Sequence, residues 1–282
     1  MATADSLPPE ARFYAAMAES GIVPVKAQLV ADGRIHRFSV EGDKAGSRNG
    51  WYVIHSSPIP HGAYGSWRTG ETHPWRDAEA RKINWAERQA LQRDLERMRR
   101  DRAQEQKKVW AEARAKAAKM LQASRSADPR HPYLMSKQVK PWGIRQLRDK
   151  LLIPVRRNGV IHSLQIISPD GTKKFLTGGM VRGCYYGIGK PTGTICIAEG
   201  YATAATVYEA TGHATAVAFN AGNMSLVARH LFARFPSSRF IVVADDDCAT
   251  PGNPGLTAAT QAAKMVGGLI ARPDFSEVRG CP

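Results

Sequence analysis

Acidic residues are scarce in this 282-residue chain: 25 aspartates and glutamates stand against 40 lysines and arginines, a formal net charge of +15. Such an excess says little about fold. It does draw the protein to polyanions, because each neutralised phosphate releases a counterion. Nucleic acid is the first candidate partner; an anionic membrane is the second, and no lipidation motif supports it. Cysteine is scarcer still. Cys184, Cys196, Cys248 and Cys281 are scattered with no CxxC pair, which argues against a cysteine-built zinc site and for reduced thiols. No zinc is expected. Long apolar runs are missing too: none approaches the ~20 residues that span a bilayer. Residues 1–10 carry acids and prolines in place of a signal-peptide core. The expectation is a cytoplasmic protein with no membrane partner.

Glycine and proline are absent from residues 77–124, a stretch rich in Ala, Arg, Lys, Glu and Gln. One long helix, or two collinear ones, is predicted there. Its apolar positions, such as Leu91, Leu95, Met98, Val109 and Trp110, are sparse, the mark of a spacer or exposed arm. Arg97, Arg99, Arg100, Arg102, Lys107 and Lys108 either touch a phosphate backbone or form a solvated face.

Residues 22–75 have the opposite texture. Gly33, Gly42, Gly46, Gly50, Gly62, Gly65 and Gly70 punctuate short stretches such as 35–40 and 51–55, as in a small β-rich unit. A short helix over residues 10–20 precedes it, with Pro8-Pro9 at its start and Gly21 at its end. Phe38, Trp51, Tyr52, Tyr64 and Trp67 lie among Arg34, His36, Arg37, Arg48 and Arg68. Interleaved rings and cations suit single-stranded nucleic acid, with Trp51 and Trp67 as stacking candidates and Arg37 among the basic ones. The alternative is that the rings fill the sheet's own core. His36, His55, His61 and His73 crowd the same region. A histidine metal site is one reading and surface histidines the commoner one.

From residue 151 strands return, at 151–155, 160–167 and 174–176, joined by the turn dipeptides Asn158-Gly159 and Asp170-Gly171. After Pro191-Thr192-Gly193 strand and helix alternate. Strands are predicted at 194–198, 214–219, 240–244 and 269–271, and helices at 201–212, 225–234 and 255–266. That order implies a mostly parallel sheet flanked by helices. Four segments follow: a small β-rich domain over 1–75, a helical linker over 76–125, a β-rich subdomain over 126–190, and an α/β domain over 191–282.

Three acids fall where such a sheet places its chemistry. Glu199 follows the strand at 194–198, Asp245 follows the strand at 240–244, and Asp247 lies two residues on. Ligands of open α/β sheets bind beyond the carboxyl ends of the strands. Residues i and i+2 of an extended chain share a side, so Asp245 and Asp247 face one site and Asp246 faces away. Gly200 gives the backbone a sharp turn behind Glu199. Converging carboxylates repel one another without a cation, and hard oxygens beside phosphate suit Mg²⁺ or Mn²⁺. Taken singly, a Glu-Gly is an ordinary turn and a triple Asp an ordinary loop or helix cap; the signal is the combination.

That combination resembles the Toprim domain of primases, topoisomerases and some nucleases. Glu199-Gly200-Tyr201-Ala202-Thr203-Ala204 is similar to the signature of primases from conjugative plasmids and satellite phages. Ile153-Pro154-Val155, Gly159-Val160-Ile161, Lys174-Phe175-Leu176 and Tyr185-Tyr186-Gly187 resemble, in order, the segment before Toprim in replicative primases. Residues 32–38 and Asn49-Gly50-Trp51-Tyr52 resemble the opening region of the mobile-element type. The resemblance implies a DNA primase that makes short RNA primers on a single-stranded DNA template from nucleoside triphosphates. In it Glu199, Asp245 and Asp247 hold two metal ions, and Glu199 is also placed to take the hydroxyl proton. Lys173 and Lys174 match basic positions that contact template or nucleotide phosphate, or else simply face solvent.

The departures are informative. The zinc ribbon of replicative primases is missing. Thr203 stands where they carry a further Asp, which removes one carboxylate. A later acidic cluster is represented at most by Asp274, so a fragment of a longer primase is expected, with a helicase domain or protein as a further partner. A Toprim nuclease and a non-catalytic single-strand-binding module are the rival readings.

Overall fold

The computed structural model describes residues 7–25, 28–43, 46–57, 59–77, 84–245, 250 and 253–272. Asp246, Asp247, Cys248, Asp274 and Cys281 lie outside them. Two units divide the chain, Met1–Ala111 and Glu112–Pro282.

In the first unit, helix α1 (Pro9–Glu19) takes its proline in the first turn and buries Phe13 and Met17. Strands β1 (His36–Phe38), β2 (Gly50–His55), β3 (His61–Ser66) and β4 (Thr72–Arg76) form an antiparallel meander. All six residues of β2 are buried, because both faces of the sheet are covered. On one face Phe13 sits edge-on to Tyr52, Tyr64 and Trp75. On the other, Trp51 and Val53 pack with Leu95 and Met98 of helix α2 (Trp85–Gln122).

Helix α2 is therefore not a bare arm over this stretch. Leu91, Met98 and Val109 are buried; a single narrow stripe (91, 95, 98) is enough to seat a helix on a sheet. Residues 78–83, at the start of the predicted helix, are outside the described residues. Trp51 is 1% exposed. Its ring stacks on Trp67 at 5.3 Å, with the Arg102 guanidinium 5.6 Å over it. Trp51→Ala is expected to cost ~3–5 kcal/mol and to lower the melting temperature of this unit by more than about 10 °C. A melting curve within 2–3 °C of wild type, on the scale of a sub-kcal/mol change, would show that the ring is not a core residue.

The surface reading is corrected for two histidines. His61 is 1% and His55 8% exposed, because they lie on strands covered from both sides. Burial, then the adjacent His61, holds the His55 pKa below the ordinary imidazole value.

The second unit opens with the end of α2, where Ala117 packs on Leu152, Leu164 and Leu176. Strand β5 (Arg125–Ser126), helix α3 (Pro132–Lys137) and strands β6 (Arg145–Leu147), β7 (Lys150–Arg157), β8 (Val160–Ile167) and β9 (Lys173–Phe175) follow. The five strands pair in sequence order, all antiparallel. Asn158 and Gly159 have φ of 50° and 80°, the paired left-handed residues that a two-residue hairpin needs. Strand β7 sends Leu152 toward α2 and Leu151, Ile153 and Val155 into a second core.

That second core is shared with the α/β layer. Strands β10 (Tyr186–Ile188), β11 (Thr194–Ala198), β12 (Ala214–Val217), β13 (Arg239–Val243) and β14 (Leu269–Ala271) pair in the order β10-β12-β11-β13-β14. Only β10 is antiparallel. Helix α4 (Tyr201–Thr211) packs on the face toward β7, and helices α5 (Ala221–Arg234) and α6 (Pro254–Val266) on the other. The fold is thus α/β, with a β-rich beginning and a mostly parallel C-terminal sheet. Among the described residues no helix is long and apolar enough to cross a membrane.

Candidate active site

Strands β11 and β13 are parallel neighbours, with Ile197 opposite Val242. The helix after β11 covers one face of the sheet and the helix after β13 the other. Adjacent strands whose connections leave to opposite faces open a crevice at their carboxyl ends. Glu199 and Asp245 stand at that edge, one residue past β11 and two past β13, and both are half-buried. Asp247 is outside the described residues.

Four other side chains shape this edge. Thr203, in the first turn of α4, donates its hydroxyl toward Asp245 Oδ1 at 3.4 Å. Thr203 therefore faces Asp245 with a hydroxyl oxygen. Lys173 Nζ lies 3.9 Å from where a Cβ on Gly200 would stand, and 5.9 Å from the centre of the Tyr133 ring. Successive strand residues face opposite ways, so Lys174 is directed away from Lys173's neighbours. Phe175 meets Phe219 edge-on at 5.9 Å.

Strain sits at Phe219 and not at Gly200. Gly200 has φ −104° and ψ 158°, extended geometry open to any residue, and a Cβ there would meet nothing closer than 3.9 Å. The expected need for glycine is corrected on that ground. Phe219 has φ 75°, unusual for a bulky residue and a feature that clusters at functional sites. Its N–H donates to the Glu199 carbonyl at 2.8 Å, tying the start of the β12–α5 connection to the acid's own backbone. Nothing in the sequence pattern signals this.

Below the edge, Tyr201 is fully buried. Its hydroxyl donates to the Lys140 carbonyl and accepts from Trp142 N–H, both at 2.8 Å. Tyr186 donates to the Trp142 carbonyl at 2.7 Å. Burial pushes Tyr186 up to about 12 and, with Tyr186 beside it, raises Tyr201 further. Both stay neutral and position the helix; neither is an acid–base group. Asn223 is a second buried tie. It accepts from Gly183 N–H at 2.6 Å and donates to the carbonyls of Ala218 at 2.7 Å, Cys184 at 2.9 Å and Val181 at 3.4 Å.

The remaining candidates belong to the first unit. Trp51 is in its core and Trp67 is half-buried against it. The Arg37 guanidinium donates to the Arg48 carbonyl at 3.1 and 2.9 Å and lies 3.8 Å from Glu105. A cavity of about 240 Å³ beside Trp51 is lined by Val53, Leu95, Met98, Arg99 and Arg102. At the α/β edge the donor set is carboxylate and hydroxyl oxygen, hard ligands that fit Mg²⁺ or Mn²⁺.

Residues 194–273 match the Toprim domain, and Glu199 and Asp245 lie within that span. Two Escherichia coli proteins named DNA primase TraC are similar to nearly the whole chain. One is 35% identical over 95% of this chain and 27% of its own length; the other is 33% identical over 96% and 20%. The chain carries a Toprim domain and is similar to these two proteins over nearly its whole length, and it spans about a quarter or less of the length of the relatives it matches.

Proposed function

We propose that this chain is the catalytic part of a DNA primase that makes short RNA primers on single-stranded DNA. The observation that carries the reading is the meeting of Glu199, Asp245, Thr203 and Lys173 at one strand edge, in a chain similar to DNA primase TraC. Glu199, Asp245 and Asp247 would hold Mg²⁺ or Mn²⁺, which supplies activation of a 3′-hydroxyl and charge neutralisation on a triphosphate. The chain's own residues do the positioning. Phe219 fixes the Glu199 backbone, Thr203 steadies the Asp245 carboxylate, and Lys173 offers a cation to the phosphates of the incoming nucleotide. Template binding draws on the net charge of +15 and falls with salt. Arg99 and Arg102 beside the first unit's cavity are its candidate contacts there.

The test is incubation of the chain with single-stranded DNA and labelled ribonucleotides. Short products on single strands, absent on duplex and removed by chelator, are expected. Metal-dependent degradation of the DNA without synthesis would favour a nuclease instead. The two lysines give a sharper check. A hydrogen bond to a charged group is worth ~1.5–3 kcal/mol, so Lys173→Ala should raise the nucleotide KM roughly tenfold or more. Lys174→Ala should change it less than about twofold, since its side chain is directed away from the edge. Equal effects would remove Lys173 from the site.

A further inference from the structure

His55 and His61 are directly opposite each other across the β2–β3 hairpin, with rings stacked at 4.9 Å and nearly parallel. His61 Nδ1 lies 2.8 Å from the Ile59 carbonyl. A carbonyl only accepts, so Nδ1 carries the proton and Nε2 presents a lone pair. The Nε2 atoms of both rings are buried and have no hydrogen-bond partner. An orphaned buried polar atom is costly, and here two belong to stacked rings. Asp94 of α2 reaches the same point: one ligand atom from each of the three residues lies within 4.8 Å of the others. Asp94 also accepts from Arg97 at 3.1 Å, a neighbour within the same helix that holds its carboxylate in place.

We propose that His55, His61 and Asp94 bind a divalent transition-metal ion, zinc foremost, which fastens α2 to the β2–β3 hairpin. Two imidazoles select the zinc class over magnesium. Three protein ligands with a remaining open position are a common zinc arrangement. A ligating histidine whose other nitrogen donates to a backbone carbonyl is the usual second layer of such a site. Zinc–nitrogen bonds of ~2.0 Å set tetrahedral ligand atoms ~3.3 Å apart, so binding draws the three side chains inward from their present spread. Cysteine counting misses this site because it contains no sulfur. It is independent of the Toprim edge.

The experiment titrates the full chain with Zn²⁺ as the one transition metal, in excess Mg²⁺ to compete for the carboxylate edge, beside Asp245→Ala, His61→Gln and Asp94→Asn. One zinc per chain is expected in wild type and Asp245→Ala, with a rise in melting temperature. X-ray absorption should show nitrogen and oxygen neighbours only. His61→Gln should abolish binding, and Asp94→Asn should weaken it more than about tenfold, the scale already seen for second-layer changes. Asp94 is only half-buried, so Asp94→Asn decides the matter even if His61→Gln fails to fold. No stoichiometric zinc, a sulfur shell, or unchanged affinity in Asp94→Asn would overturn the proposal.

Discussion

Asp245→Ala is expected to lower primer synthesis by more than about a thousandfold while leaving single-stranded DNA affinity within a few-fold. A metal ion contributes several kcal/mol of transition-state stabilisation, and ~4 kcal/mol corresponds to three decades in rate. The side chain stands beyond the end of β13 and is half-buried, so its removal opens no cavity in the core formed by Val242, Ala244 and their neighbours. The net charge of +15 is spread over many basic residues, and the loss of one acid does not weaken attraction to phosphate. Initial rates in Mg²⁺, beside DNA anisotropy and a melting curve, make the test. Asp245→Asn, which keeps shape and removes charge, should fall nearly as far. Synthesis within tenfold of wild type in a folded variant would remove Asp245 from the chemistry.

Asn223→Ala should destabilise the second unit by ~3–5 kcal/mol, about 10 °C in melting temperature for a unit of this size. The side chain is 2% exposed and joins the 181–184 segment to the end of β12 through Gly183, Cys184 and Ala218. Truncation orphans a buried N–H and several carbonyls, at ~1–3 kcal/mol for each one left unsatisfied. Asn223→Asp is the sharper probe. It has nearly the same shape, yet it sets a carboxylate oxygen against carbonyls that now receive N–H bonds, so it should be at least as damaging as alanine. An Asn223→Asp chain melting like wild type would mean the amide is not the tie described. Because Ala218 adjoins Phe219, and Phe219 bonds to the Glu199 carbonyl, either variant should also slow synthesis below its melting point.

Much of the α/β layer was legible. The strand Thr194–Ala198 and the strand Leu269–Ala271 fall where apolar runs and glycine breaks put them. Acids at strand ends are readable because fold class alone places them at one edge. The first unit is less legible. A β-rich texture was visible, but β3 and β4 were not separated, since His61–Ser66 is half glycine and small polar residues. The sparse apolar stripe of helix α2 suggests a spacer or an exposed arm, because the two-sided sheet beneath it cannot be inferred from the helix itself. Trp51 illustrates the same limit: an aromatic among basic residues is compatible with stacking on bases, and only the placement of α2 over β2 buries it. The Glu199–Phe219 bond and the Lys173 approach to Gly200 join residues 20 or more positions apart in sequence, and no local pattern announces such meetings.

The most direct measurement of the central claim is a side-by-side primer-synthesis assay of the wild-type chain and Glu199→Ala. Both would be given single-stranded DNA, labelled nucleotides and Mg²⁺ or Mn²⁺. Short products from wild type, lost in Glu199→Ala and lost on adding chelator, are the expected result. Equal product from both proteins, or none from a wild-type chain that is folded and binds DNA, would contradict the account.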